Sequence, residues 1–194
     1  MKEPLPLAQI QEAVLDFLRN RDDAAIFGAQ AVNAYVDEPR MTQDVDILST
    51  RASEVAEELR SHLAATFHIA IRVRTVAHGK GYRVYQMRQP KNRHLADVRQ
   101  VDELPRTQLI AEIRVPLPEE LIAQKVISLS SRLGQPKADT DRRDLKVLLL
   151  AFPQLKTETG PVIDCLTASQ ATDSAIAEWL SLVATEIQPE EEEW

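Results

Sequence analysis

The chain has 194 residues, and 44% of them are hydrophobic, which is the composition of a globular protein. That length can bury a core in one elaborated domain or in two small domains. The single cysteine, Cys165, excludes an internal disulfide and a zinc site built on several cysteines. The sequence has neither a secretory signal nor an apolar run near the ~20 residues of a membrane span, so we expect a cytoplasmic protein without a membrane partner.

The formal net charge is −7, but the charges are unevenly distributed. Glutamates 190–193 form an acidic tail, and we expect residues 189–194 to be disordered. Residues 72–99 contain eight arginines and lysines and a single acid, Asp97. Because local charge governs contact with a polyanion, this segment favours a nucleic-acid partner. The alternative is that these cations lie on the solvated face of a sheet.

Hydrophobic spacing predicts alternating helices and strands in the first part of the chain. Helical spacing predicts helices at 6–20, 29–35 and 53–65. Two-residue alternation and short apolar runs predict strands at 24–27, 44–48, 67–76, 82–87 and 94–101, with a hairpin turn at 78–81. The run 110–115, stopped by Pro116 and Pro118, predicts an edge strand.

After Pro118 the pattern becomes helical. Spacing predicts helices at 119–133, 139–152 and 171–187. We therefore predict an α+β domain at 1–117, a helical domain at 118–188, and the tail.

Two carboxylates at alternate positions of one predicted strand indicate a cation site. Asp44 and Asp46 point to the same side of the strand, and their like charges repel each other. A cation between them relieves that repulsion, and Mg²⁺ or Mn²⁺ suits such oxygen ligands together with substrate phosphates. Asp97, in an apolar strand setting, is the natural third carboxylate. The alternative is that Asp44 caps a turn and Asp46 is merely exposed.

The glycine that follows the first predicted strand suits an anion. Gly28 lets the backbone approach a phosphate closely, and the predicted helix after it presents free N–H groups. Beside a metal-bound carboxylate pair, these groups form a triphosphate site.

The segments 27–31 (FGAQA) and 40–48 (RMTQDVDIL) resemble the DNA polymerase beta-like nucleotidyltransferase superfamily. The Arg-x-Thr-x-Asp-x-Asp form, with segments 121–125 (LIAQK) and 141–145 (DRRDL), is similar to AbiEii-like nucleotidyltransferases, the toxins of type IV toxin–antitoxin systems. The resemblance covers roughly residues 24–150. It implies an α+β fold, with a mixed β-sheet flanked by helices and followed by a helical part.

The resemblance also implies roles for individual residues. Asp44, Asp46 and Asp97 would be catalytic and would bind metal. The implied nucleotide-binding residues are Gly28, Ala29, Thr42, Lys125, Asp141 and Asp144. The basic residues that we assign to acceptor binding are Arg72, Arg74, Arg83 and Arg99. The implied reaction moves a nucleotidyl group from a nucleoside triphosphate to RNA, such as tRNA, or to a protein, and an antitoxin is an expected partner.

Two other functions stay open. One is a small-molecule nucleotidyltransferase of the antibiotic-modifying kind. The other is a catalytically weak, nucleotide-binding regulatory protein, because many members of the superfamily have Gly-Gly or Gly-Ser where this chain has Gly28-Ala29. For Lys125, the alternative is a surface lysine on an amphipathic helix.

Overall fold

The computed structural model describes residues 6–37 and 39–189. The predicted disorder of the tail therefore falls, from residue 190 onward, outside the described residues. Within the described residues, 6–34 and 40–116 form one compact unit, and 35–37, 39 and 117–189 form another. Across the described chain, every helix is too short or too polar to cross a membrane.

The first unit contains a five-stranded mixed sheet. Its elements are α1 (Leu7–Leu18), β1 (Ala24–Phe27), α2 (Gly28–Asn33), β2 (Val45–Ser49), α3 (Ala52–Phe67), β3 (Ile71–Val76), β4 (Gly81–Gln86), β5 (Arg93–Gln100), β6 (Thr107–Ile110) and β7 (Ile113–Pro116). The sheet order is β1-β2-β5-β4-β3, in which β2 and β5 run parallel and the other pairs run antiparallel. This architecture confirms the predicted α+β fold with a mixed sheet flanked by helices.

Strand alternation gives the sheet two unlike faces. The apolar side chains of Ile47, Val84 and Val98 are buried, and α3 packs on β2, β3, β4 and β5. The intervening residues, including Asp46 and Asp97, belong to the opposite face because successive side chains of a strand alternate. Asp46 and Asp97 therefore share one face of the sheet.

The predicted edge strand at 110–115 is correct for residues 113–115, which lie in β7, and wrong for residues 111 and 112, which form a turn. β6 and β7 form a separate two-stranded hairpin in which Ile110 pairs with Ile113. The turn residues Ala111 and Glu112 have φ values of 49° and 67°. Such turns usually carry Gly, Asn or Asp, so Ala-Glu gave no turn signal in the sequence.

The second unit contains α4 (Pro118–Ser131), α5 (Pro136–Ala151), α6 (Pro161–Ala168) and α7 (Asp173–Ala184). α4 packs against the other three helices. Trp179 is fully buried, and its indole Nε1 donates a hydrogen bond of 3.2 Å to the carbonyl of Thr157. α6 was not predicted, because eight residues give little periodicity; its sequence signal is a proline at the first helical position.

Candidate functional site

The strand registers place five side chains in a single row across the sheet. The row runs from β1 to β3 through Phe27, Asp46, Asp97, Arg83 and Arg74. Two carboxylates therefore lie at directly paired positions on the parallel strands β2 and β5. The arginines occupy the next two strands, so the face is acidic at its centre and basic toward β3.

Gly28 and the Asp46 side chain form a close contact. Gly28 has φ +64°, in the left-handed region that L side chains rarely adopt. A Cβ added to Gly28 would lie 2.3 Å from Asp46 Oδ2 and 3.1 Å from its Cγ. The missing side chain therefore brings the backbone of the β1–α2 turn against the Asp46 carboxylate. Ala29 follows on α2, which has only six residues.

His94 joins the other two predicted carboxylates. Its Nδ1 lies 2.7 Å from Asp44 Oδ2, and its Nε2 lies 3.0 Å from Asp97 Oδ1. Among the residues that the structure describes, Asp44, His94 and Asp97 each offer one metal-ligand atom, and these atoms lie within 4.8 Å of one another. Asp46 is outside this group but is paired in register with Asp97.

Arg83 holds Asp97 from the neighbouring strand. Its Nε and one terminal nitrogen donate hydrogen bonds of 3.0 and 3.2 Å to the two Asp97 carboxylate oxygens. Burial by itself raises the pKa of Asp97, but the hydrogen bonds from His94 and Arg83 outweigh burial and lower this pKa to about 2. Asp97 is therefore a stable anion and a weak proton acceptor.

His94 carries the complementary shift. Burial lowers its pKa, whereas the hydrogen bonds to Asp44 and Asp97 raise it, and the result is a pKa of about 9. In the absence of a bound cation, the imidazolium is the positive charge between the two carboxylates.

Thr42 anchors the segment that leads to Asp44. Its buried hydroxyl accepts hydrogen bonds from the side-chain amides of Gln11 at 3.0 Å and Gln30 at 2.8 Å. Gln11 also donates to the Thr42 carbonyl at 2.9 Å. These contacts tie the segment to α1 and α2, so the structure gives Thr42 a positioning contact.

The other predicted nucleotide-binding residues form a buried cluster in the helical unit. Lys125 Nζ donates to Asp144 at 2.6 Å and to Asp141 at 3.2 Å. Arg132 adds a 2.8 Å ion pair to Asp141. Lys125 is 6% exposed, so the alternative of a surface lysine is wrong.

The four predicted acceptor arginines differ in their contacts. Arg72 and Arg74 are exposed on alternate positions of β3. Arg83 pairs with Asp97, as described above. The guanidinium of Arg99 lies 4.9 Å from the centroid of the Phe27 ring, within the range of a cation–π contact.

Sequence reasoning missed His94. His94 and Asp97 are three residues apart, and on a regular strand this spacing puts side chains on opposite faces. The sequence did contain a related indication: Asp97 is the single acid of the basic segment 72–99, so a basic side chain of that segment is a natural partner for it.

The donor set and the Gly28 turn together fit a divalent cation with a triphosphate. Carboxylate oxygens and an imidazole nitrogen are ligands for such cations. A Cβ on Gly28 would overlap the Asp46 carboxylate, so only glycine lets the backbone of this turn lie against that carboxylate. The residues present therefore suit this group.

Protein-family models and curated proteins give no match to the chain. Several solved structures do match the chain. The polyadenylate synthase of Megavirus matches with a TM-score of 0.63 and 16% identity, over 79% of this chain and 33% of that one. This chain therefore spans about a third of that protein.

Two further structures match over nearly their whole length. The ANT(2″)-Ia structure in complex with adenylyl-2″-tobramycin has a TM-score of 0.54 and 14% identity, over 84% of this chain and 99% of that one. An antigenic nucleotidyltransferase-like protein from Paracoccidioides brasiliensis has a TM-score of 0.50 and 20% identity, over 90% and 95%. At these identities the likeness establishes the fold: the chain has a nucleotidyltransferase fold.

Proposed function

We propose that this chain, with its nucleotidyltransferase fold, transfers a nucleotidyl group from a nucleoside triphosphate to an RNA acceptor, such as tRNA. Asp44, Asp46 and Asp97 would hold a divalent cation, Mg²⁺ or Mn²⁺. One observation carries the proposal: Asp46 lies in register beside Asp97 and against Gly28, whose missing side chain leaves backbone next to the carboxylate. Protein is the alternative macromolecular acceptor.

The residues of the sheet unit would divide the chemistry among them. A divalent cation, when bound, neutralises triphosphate charge and polarises the reacting phosphoryl group. Gly28 would present its backbone to the phosphates, and Asp46 would face the same space. Because its pKa is about 2, Asp97 would supply negative charge and orientation rather than accept a proton from the acceptor.

For the helical part we keep the predicted domain at 118–188, after the nucleotidyltransferase domain at 1–117. Lys125, Asp141 and Asp144 would support nucleotide binding there. Their mutual ion pairs mean that direct contact with a phosphate would require Lys125 to leave a buried carboxylate. Breaking such a pair is costly, so we propose a supporting role for this cluster.

The reaction is tested by incubating the chain with total RNA, Mg²⁺ or Mn²⁺, and each of the four nucleoside triphosphates labelled with ³²P at the α-phosphate. We expect label in RNA with the wild-type chain and a loss of at least about 100-fold with Asp46→Asn, because charge and position supply most of the rate. Asp102→Asn is the matched control, since Asp102 is an exposed carboxylate just beyond β5. Equal labelling by both variants would contradict the proposal, and so would label that stays in nucleotide.

Arg72 and Arg74 support the choice of an RNA acceptor. Both are exposed, and Arg74 ends the cross-sheet row that contains Asp46 and Asp97. Replacing both by alanine should weaken RNA labelling and should reduce its salt dependence, because each arginine neutralises phosphate charge. The control is Arg143→Ala with Lys146→Ala, which removes the same charge from exposed positions of α5. Equal effects of the two double variants would argue against a directed acceptor surface.

A small-molecule acceptor is the second candidate. The fold likeness to ANT(2″)-Ia, whose structure contains adenylyl-2″-tobramycin, supports it. Labelling assays with aminoglycosides in place of RNA, together with resistance tests on expressing cells, separate the two candidates. Label on an aminoglycoside and none on RNA would favour the second.

We also propose a toxin role of the AbiEii type, with an antitoxin partner. Induced expression should then arrest bacterial growth, and Asp46→Asn should relieve the arrest at equal protein level. A catalytically weak, nucleotide-binding regulatory protein is the remaining alternative. It would bind nucleotide in calorimetry without transferring label.

A further inference from the structure

A β-bulge turns His94 toward the carboxylates. Between β4 and β5, Val84 pairs with Ala96, but the next residue, Tyr85, pairs with His94. β5 therefore has one extra residue, Leu95, at this point. A bulge changes which face the following side chain occupies and often re-aims a side chain beside a functional site. Here it brings His94 onto the face of Asp97, three residues away, with 3.0 Å between Nε2 and Oδ1.

One ring nitrogen of His94 and one carboxylate oxygen from each of Asp44 and Asp97 lie within 4.8 Å of one another, so modest side-chain shifts would bring the three atoms to one cation. In this structure the two nitrogens of His94 contact different carboxylates, Nδ1 that of Asp44 at 2.7 Å and Nε2 that of Asp97 at 3.0 Å, and both contacts are hydrogen bonds. A bound cation would replace the proton on one of these nitrogens. The three side chains are half-buried, with 19–32% of each exposed, so an ion from solvent can reach them.

The donor set differs from one made only of carboxylates. Mg²⁺ prefers oxygen ligands, whereas imidazole suits first-row transition metals. We infer that His94 is a metal ligand, and that Asp44, His94 and Asp97 form a mixed nitrogen–oxygen site selective for a first-row transition cation over Mg²⁺. This inference rests on the proposed function because it concerns the same cation site, but the contacts that support it do not depend on that function. Arg83, which binds both oxygens of Asp97, orients that ligand.

Mn²⁺ is the probe, because its electron spin reports bound nitrogen directly. Electron-spin-echo modulation of Mn²⁺ added to the wild-type chain should show coupling to ¹⁴N, which should change to ¹⁵N coupling in protein made with ¹⁵N-histidine. The coupling should disappear in His94→Gln and persist in His78→Asn, the control at an exposed turn histidine. The wild-type isotope exchange needs no variant, so it stands even if His94→Gln folds poorly.

Competition between Mn²⁺ and Mg²⁺ gives the second readout. The wild-type preference for Mn²⁺ should fall at least about tenfold in His94→Gln, a loss typical for the removal of a group that supports a metal. Absence of nitrogen coupling would overturn the inference. Equal or tighter Mn²⁺ binding by His94→Gln would also overturn it, because the imidazole would then be a counter-ion that the metal displaces. Nucleotidyl transfer without nitrogen coupling would refute this inference alone. Nitrogen coupling without nucleotidyl transfer would refute the proposed function alone.

Discussion

Replacing Gly28 by alanine tests the contact between the β1–α2 turn and Asp46. The new Cβ would lie 2.3 Å from Asp46 Oδ2, whereas ordinary contacts of a Cβ begin at 3.4 Å. Left-handed φ costs alanine about 1–2 kcal/mol, and overpacking adds about 1–3 kcal/mol unless the carboxylate moves away. We therefore expect Gly28→Ala to lower the free energy of unfolding by about 2–5 kcal/mol, or to relieve the overlap by displacing Asp46.

Gly134→Ala is the matched control, because Gly134 has φ +79° and a Cβ there would meet nothing within 4 Å. It should lose only the 1–2 kcal/mol of backbone strain. Urea unfolding measures both variants, and label transfer reports the carboxylate, for which a shift of about 1 Å can cost about 100-fold in rate. Equal unfolding midpoints for the two variants, with transfer at the wild-type rate, would refute the reasoning.

Three further predictions concern stability and are measured by urea unfolding. Lys125→Met removes the buried cation that pairs with Asp141 and Asp144 and should cost about 3–5 kcal/mol; the exposed Lys146→Met should cost far less, and a similar loss in both would contradict the account. Thr42→Val removes a hydroxyl that accepts from two glutamine amides and should cost about 1–3 kcal/mol, so a neutral result would show that those amides find other partners. The hydrogen bond from Arg21 lowers the pKa of Asp23 below 3.8. The ionised Asp23 side chain therefore adds to the free energy of unfolding above pH 3.8, and this contribution is lost as the pH falls through the lowered pKa. Asp23→Asn should flatten this acid-side loss, and an unchanged pH profile would argue against the pairing.

The sequence was sufficient for features that rest on local periodicity. Two-residue alternation and short apolar runs located the five strands of the main sheet, and β1 at Ala24–Phe27 matches its predicted range. The Asp-x-Asp motif could be predicted from the sequence to place two carboxylates together, because residues at i and i+2 of a strand share a face. The pairing of Asp46 with Asp97 depends on the parallel register between β2 and β5, which is a non-local choice.

What the sequence did not reveal depends on irregular backbone or on tertiary contact. His94 reaches the carboxylates through a bulge that breaks the two-residue period. The turn at Ala111 and Glu112 adopts positive φ without the residues that usually mark it. The sequence led us to assign Arg83 to acceptor binding, and its contact with Asp97 depends on the β4–β5 register, which the sequence did not reveal.

Metal-dependent nucleotide binding tests the central claim most directly. The measurement is calorimetric titration of the chain with α,β-methylene analogues of the four nucleoside triphosphates, with and without Mg²⁺ or Mn²⁺. We predict binding that requires the cation, weakens at least about tenfold in Asp46→Asn, and is unchanged in Asp102→Asn. Binding that ignores both the cation and Asp46, or no binding of any analogue, would contradict the account.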